Sequence, residues 1–201
     1  MSSLWPEILA LSLEHVELVL VTVLLASVVA LPAGVALARR PPWRRWTMGL
    51  ANLAQTIPSL ALFGFLLPLA GIGKPTAIVA LWLYALLPML RNTLIGILGV
   101  DRAVRESAIA MGMTGRQILW QVELPLAAPS IVAGLRIATV TTIGTATIAA
   151  AIGGGGLGVF IFRGISMVDT RTVLAGAIPA AVMALAADEG LEWIERKLVG
   201  R

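Results

Sequence analysis

Residues 18–38 read LVLVTVLLASVVALPAGVALA and carry no charged side chain. An α-helix rises 1.5 Å per residue, so about 20 apolar residues cross the hydrocarbon core of a bilayer. This stretch is therefore long enough to span a membrane as one helix. It decides the fold class, because a chain that contains such a span is expected to be an integral membrane protein.

Four more apolar stretches predict further spans. They are residues 49–72, 75–90, 127–152 and 172–187, and the second of these could continue past Arg91. Residues 5–17 precede the first span and carry three glutamates, so we expect them to form an interfacial helix or a lead-in to that span. The predicted fold is all-α, with five core transmembrane helices; a sixth crossing by residues 5–17 is the alternative.

The composition supports a membrane protein and argues against chemistry on this chain. Only 13% of the 201 residues are charged and 58% are hydrophobic, whereas about 25% of a soluble domain is charged. The sequence has no cysteine and one histidine, His15. A disulfide, a thiol nucleophile or a Cys-ligated metal is excluded, and a His-based metal site or triad would rest on one residue. We therefore predict one membrane domain over residues 1–201, with no catalytic residue, no metal ligand and no cofactor of its own.

The basic residues lie on alternate sides of the predicted spans. Ten of them fall in the connections after spans one, three and five, namely Arg39, Arg40, Arg44, Arg45, Arg102, Arg105, Arg116, Arg196, Lys197 and Arg201. The opposite side holds Lys74, Arg163 and Arg171. Short loops rich in Lys and Arg stay in the cytoplasm, so the N-terminus is predicted outside and the C-terminus inside. This orientation explains the net charge of +4 without a nucleic-acid partner.

Residues 101–125, DRAVRESAIAMGMTGRQILWQVELP, form the longest polar interval of the chain. The pattern predicts two short helices joined at glycines, followed by entry into the fourth span at Pro125. A short amphipathic helix outside the bilayer could present its small residues to another protein. A plain cytoplasmic connector that packs on its own bundle explains the same pattern equally well.

The same interval resembles the EAA loop of ABC importer permeases with the methionine-permease-like, type I fold. The matching positions are Glu106, Ser107, Ala108, Gly112, Val122, Leu124 and Pro125, at the spacing of the family motif. Ser107 stands for an alanine of the motif and Val122 for an isoleucine, both similar in size. The resemblance implies that this loop is a coupling helix that docks in a groove of an ATP-binding subunit.

The resemblance extends over most of the chain. Residues 55–73, 80–96 and 144–165 are similar to permease subunits of importers for glycine betaine, carnitine and choline. The family resemblance implies translocation by alternating access across a bacterial inner membrane. It also implies partners: two ATP-binding subunits that carry ATP and Mg²⁺, a second permease copy or homologue, an external substrate-binding protein and the lipid bilayer.

Polar and aromatic residues within the spans are candidates for lining the translocation pathway. Three polar residues lie around Pro58, at which we expect a kink. The later spans add two aromatic residues with a polar group on the ring and two threonines. The full set is Gln55, Thr56, Pro58, Ser59, Trp82, Tyr84, Thr142 and Thr145. Aromatic faces attract quaternary ammonium groups. For the threonines, helix packing is the more frequent role in membranes.

Three alternatives remain open at this point. A permease of the same fold could carry another small solute, such as an amino acid. An ion-coupled secondary transporter is disfavoured because no Asp or Glu falls inside a predicted span. A membrane enzyme is disfavoured because no cluster of His, Asp or Glu falls inside a predicted span.

The glycine run 153–158 fits the GxGxxG pattern but lacks a βαβ context, so we interpret it as an external turn or gate hinge.

Two further charge patterns carry expectations. Arg136 interrupts the fourth span, and we expect its long side chain to reach the interface. The acidic residues between 188 and 195 are expected to lie on a solvated face of a C-terminal helix.

Overall fold

The structure, a computed structural model, describes residues 4–199, and within them every regular element is helical. The helices are α1 Leu4–Ala38, α2 Pro41–Thr56, α3 Ser59–Ala70, α4 Lys74–Leu98, α5 Arg102–Ala110, α6 Gly115–Ile118, α7 Leu124–Ala149, α8 Gly158–Ser166 and α9 Thr170–Val199. A π-helical turn, Leu119–Glu123, joins α6 to α7, and a 3-10 turn, Ala150–Ile152, follows α7.

Within residues 4–199, four helical segments are long and apolar enough to cross a membrane. They are Trp5–Ala38, Lys74–Leu98, Gly115–Ile152 and Thr170–Val199. Each contains one predicted span and extends beyond it, so α4 does continue past Arg91. Residues 5–17 belong to the same helix as the first span, which confirms the lead-in interpretation.

The prediction of one span over residues 49–72 is wrong in form. The chain leaves the helix at Ile57 and Pro58, where Pro58 has ψ of 136°, and restarts as α3, a short apolar helix. Proline lacks an N–H and forces the preceding residue out of helical geometry. The Tyr84 hydroxyl donates a hydrogen bond to the Ile57 carbonyl and so satisfies one group that the break exposes.

The helices alternate in direction between two ends of the molecule. We call one the loop end, defined by residues 101–123, and the other the glycine end, defined by residues 153–158. Helices α1, α4 and α9 run towards the loop end, and α7 runs back from it. Helices α2 and α3 together also return to the glycine end, where the Gly73 N–H bonds to the Ile152 carbonyl at 2.9 Å.

Helix α4 is the centre of the bundle and packs between α1 and α7. Glycines bring these helices close: a Cβ on Gly34 of α1 would lie 2.7 Å from Thr93, and one on Gly134 of α7 would lie 2.6 Å from the Cβ of Asn92. Membrane helices associate through such small residues, because lipid gives no hydrophobic drive between them.

The glycine turn is held against α1 in this structure. The His15 ring is fully buried; its Nδ1 accepts from the Leu157 N–H at 3.4 Å and its Nε2 lies 3.1 Å from the Ile143 carbonyl. Glu14 accepts from the Gly156 N–H at 3.1 Å. Gly156 has φ +72°, and a Cβ there would lie 2.8 Å from His15 Nδ1. His15 is thus a structural link between α1 and the turn that we expected to be external and hinge-like.

Arg136 of α7 and the acidic C-terminal segment of α9 meet in one ion-pair cluster, which the expectation of a solvated acidic face did not include. Arg136 Nε lies 2.5 Å from Asp188, and the guanidinium also lies 3.1 Å from Glu192 and 3.5 Å from Glu195. These carboxylates share one face of α9, which is the face that packs on α7. Arg136 therefore pairs with α9 on a partly exposed surface, and ion pairs as well as apolar contacts hold α9 against α7.

The close approach of α7 to α4 predicts opposite effects for two glycine substitutions in α7. Gly134→Ala should destabilise the protein by about 1–3 kcal/mol because the added methyl overlaps Asn92. Gly144→Ala, where nothing lies within 4 Å of the new methyl, should be neutral or stabilise by up to about 1 kcal/mol. Thermal unfolding midpoints in detergent measure both; equal midpoints would contradict the α4–α7 packing.

Candidate functional site

The loop end is built from α5, α6 and the π-helical turn. Asp101 caps α5 by accepting from the Ala103 N–H at 2.8 Å, and Thr114 and Gln117 form a capping box at the start of α6. Gly112 between them has φ +78°, a conformation that glycine adopts without steric cost. The prediction of two short helices joined at glycines is confirmed.

One side of this loop packs on the helix bundle. Ala108 is 1% exposed and Ile118 is 7% exposed, so both side chains are buried within this chain. Val122 and Leu124 are half-buried in the π turn and the first residue of α7. Pro125 is the second residue of α7, directly after the π-helical turn.

The other side of the loop is exposed and partly apolar. Glu106 and Ser107 are both exposed; Glu106 pairs with Arg102 at 2.7 Å, and the Ser107 hydroxyl donates to the Ala103 carbonyl at 2.8 Å. Within residues 4–199, and apart from Gly112 and its two chain neighbours, no heavy atom lies within 4 Å of a Cβ built on Gly112. The large apolar side chains that stand exposed here are Val104, Ile109, Met111 and Trp120.

These exposed apolar side chains were missed by the sequence analysis, which singled out only motif positions. Met111 is 74% exposed and Ile109 is 58% exposed, next to the motif residue Gly112. The sequence signal that could have found this surface is that two large apolar residues, Ile109 and Met111, lie inside the longest polar interval. We call the exposed set Val104, Ile109, Met111 and Gly112 the docking face.

Glu123 is a second residue that sequence reasoning passed over, since it occupies a variable position between Val122 and Leu124. Its side chain is 5% exposed and lies 2.5 Å from Arg39 Nη2 at the end of α1. It also lies 2.9 Å from Arg105 Nε on α5. The sequence signal that could have found it is a single acidic residue among apolar ones. An acidic side chain in such a stretch is buried only when it pairs with a positive charge.

Arg105 extends this cluster to α4. Its Nη2 donates to the Ile97 carbonyl at 3.1 Å, near the end of α4, where the last carbonyls lack helical partners. Its Nε is close to Glu123 but is not aligned for a hydrogen bond, and it has no other partner among the described residues. The ends of α1 and α4, the middle of α5 and the start of α7 thus meet at the cluster of Arg39, Arg105 and Glu123.

Part of the predicted pathway lining gathers at the break between α2 and α3. Gln55 Nε2 donates to the Tyr84 carbonyl at 3.0 Å, and the Tyr84 hydroxyl reaches back to Ile57. Thr56 and Pro58 are exposed beside them, and Ser59 is half-buried as the first residue of α3. The break therefore presents polar groups on an exposed surface next to an aromatic ring.

The remaining candidates lie apart from this break. Trp82 is half-buried on α4. Thr145 is half-buried and donates to the Thr141 carbonyl at 2.9 Å. Thr142 is 2% exposed, and its hydroxyl has no hydrogen-bond partner within the described part of the chain. Thr142 thus lies inside the helix packing in this conformation. Residues 4–199 also contain no group of three or more His, Asp and Glu that could hold a metal ion.

Comparison with known proteins agrees with this architecture. Two solved structures of the MetNI methionine ABC transporter in inward-facing conformations match with TM-scores of 0.83 and 0.88, each at 24% identity. The first match covers 92% of this chain and 93% of the other, and the second covers 98% and 99%. The helices are therefore arranged as in an ABC importer permease.

Curated relatives are much closer in sequence. A choline transport system permease protein of Bacillus subtilis is 45% identical over 96% of this chain and 88% of its own. A carnitine transport permease protein of Listeria monocytogenes is 48% identical over 88% of this chain and 79% of its own. An osmoprotectant import permease protein of Salmonella typhimurium is 40% identical over 94% and 88%.

The family profile described as the binding-protein-dependent transport system inner membrane component matches residues 26–200. That range includes the loop end and reaches from α1 to the end of α9. The chain is thus a multi-pass inner membrane protein and belongs to the binding-protein-dependent transport system inner membrane component family.

Proposed function

We propose that this chain is the translocation subunit of an ATP-driven importer for quaternary-amine osmoprotectants, and that α5 is the coupling helix that receives motion from an ATP-binding subunit. The docking face is the observation that carries the proposal. A nine-residue helix that buries Ala108 while Val104, Ile109 and the following Met111 stay exposed is typical of a protein interface.

The two sides of the loop give the motif residues different roles. Glu106, Ser107 and Gly112 lie on the exposed side and would contact the ATP-binding subunit. Ala108 is buried in this chain and would instead hold α5 against the bundle, where a larger side chain would push the helix away. Val122, Leu124 and Pro125 would fix how the loop re-enters the membrane at α7.

The substrate class is supported by the relatives and by the break between α2 and α3. The curated relatives are named for choline, carnitine, glycine betaine or osmoprotectants. In this chain the break presents an aromatic ring, Tyr84, beside Gln55 and Thr56, and aromatic rings attract quaternary ammonium groups. An amino acid is the alternative substrate, because the structural neighbours transport methionine; their 24% identity supports the fold alone.

The proposed topology has five crossings, with the N-terminus outside. Helices α2 and α3 would make the second crossing in two pieces, which is tolerated where the broken backbone lines a cavity. Nine of the ten predicted cytoplasmic cations lie towards the loop end and support this orientation; Arg201 lies outside the described residues. With five crossings forming half a pathway, a second permease copy or homologue would complete it, and ATP with Mg²⁺ would act on the partner subunits.

Cysteine labelling tests this orientation, because the chain contains no cysteine of its own. Met111→Cys lies at the loop end and Met167→Cys at the glycine end, and both side chains are largely exposed. In cells that express this chain without its ATP-binding subunit, a membrane-impermeant maleimide should label Met167→Cys in intact cells and Met111→Cys only after permeabilisation. The reverse pattern would show that the positive-inside assignment is wrong.

A matched pair of charge insertions tests the docking face. Met111→Asp should reduce co-purification of the ATP-binding subunit about ten-fold, since a carboxylate cannot be desolvated in an apolar contact at low cost. Met167→Asp makes the same change at the opposite end and should leave co-purification unchanged. Retention of the subunit by Met111→Asp would place the contact elsewhere on the loop end.

Competition for uptake tests the substrate class. In vesicles that contain the complete importer and its external binding protein, excess glycine betaine or carnitine should suppress uptake of labelled choline, because all three share a trimethylammonium group. Excess methionine should not, since it lacks that group. Suppression by methionine and not by carnitine would favour the amino-acid alternative.

A further inference from the structure

The loop end contains one feature that the docking face does not explain, the buried charge cluster at Glu123. We propose that Glu123, held between Arg39 and Arg105, is the positioning residue that transmits displacement of α5 to α1, α4 and α7. The proposal rests on the proposed coupling role of α5. It adds a defined route from that helix into the membrane-spanning bundle.

The backbone alone is a poor route for this displacement. Chain continuity from α5 to α7 passes through the turn at Gly112 and then through the π-helical turn Leu119–Glu123. Glycine turns bend freely, and π-helical turns are wide irregular segments that occur often at functional sites. A push on α5 would therefore be absorbed along the chain unless side chains connect α5 directly to the bundle.

Arg105 and Glu123 provide that direct connection. Arg105 projects from the middle of α5, and its guanidinium reaches both Glu123 at 2.9 Å and the Ile97 carbonyl at 3.1 Å. Glu123 in turn contacts Arg39 at 2.5 Å. The route runs from α5 through one guanidinium to α4 and through one carboxylate to α7 and α1, with every step within hydrogen-bond or ion-pair distance.

The cluster also differs from a fully paired ion-pair network that only stabilises the fold. It holds two arginines for one carboxylate, the Arg105 Nε has no aligned acceptor among the described residues, and the Arg39 side chain is 47% exposed. Buried polar groups that serve only stability are normally fully paired. A cluster with a spare donor can keep its ion pair while α5 shifts. This property is expected of a contact between elements that move relative to each other.

The test uses the complete importer, with ATP-binding subunits and external binding protein, reconstituted in liposomes, and measures ATP hydrolysed per solute imported. Glu123→Gln keeps the size of the side chain and removes its charge. We expect this ratio to rise about five-fold or more, because hydrolysis continues while its coupling to transport weakens. Arg196→Gln removes a charge from an exposed surface pair with Glu192 and should leave the ratio unchanged.

Arg39 provides a second arm that does not depend on a fully buried site. Arg39→Gln should raise the ratio and Arg39→Lys should restore most of the coupling, because lysine retains the positive charge beside Glu123. Were the cluster only structural, ATP hydrolysis and import would fall in parallel with the amount of folded protein, and the ratio would stay constant. A constant ratio in Glu123→Gln or in Arg39→Gln overturns the proposal.

The two proposals fail in distinguishable ways. Retention of the ATP-binding subunit by Met111→Asp contradicts the docking face. It thereby also contradicts the coupling role of α5, on which the proposed role of Glu123 rests. If Met111→Asp loses the subunit while Glu123→Gln leaves the ATP hydrolysed per solute imported unchanged, only the proposed role of Glu123 is contradicted.

Discussion

A carboxylate leaves water only when opposite charge and hydrogen-bond donors meet it inside the protein, and Glu123 imposes this constraint on the loop end. Its side chain is almost fully buried, so the end of α1 and the middle of α5 must converge on it through Arg39 and Arg105. Arg105 brings in the end of α4 as well. The position of α5 relative to the bundle follows from this convergence, and with it the direction in which the docking face points.

A second polar contact fixes the opposite end of the bundle. His15 and Glu14 on α1 bind the glycine turn that follows α7, and Gly156 has room for no side chain there. Helix α1 is thus tied to α7 at both of its ends. The break between α2 and α3 leaves Gln55, Thr56 and Pro58 exposed, while hydrogen bonds with Tyr84 connect it to α4.

Hydropathy correctly predicted four helices that are long and apolar enough to cross a membrane, because lipid demands long apolar helices with internal hydrogen bonds. It failed at residues 49–72, because the average hydropathy of that stretch passes over the effect of Pro58 on one turn. Spacing and helix-forming residues predicted the two short helices of the loop end. Pairing could not be predicted: Arg136 lies 52 residues from Asp188 and Arg39 lies 84 from Glu123, so only the packed helices show that these charges meet.

The central claim is that α5 docks on the ATP-binding subunit and moves the bundle through Glu123. An electron cryo-microscopy structure of the complete importer, without nucleotide and with a non-hydrolysable ATP analogue, tests it most directly. We expect Met111 and Ile109 to be covered by the ATP-binding subunit in both states. Glu123 should stay paired with Arg105 while α5 and the ends of α1 and α7 shift together. An exposed α5, or a shift of α5 that leaves α1 and α7 in place with Glu123 unpaired, would contradict it.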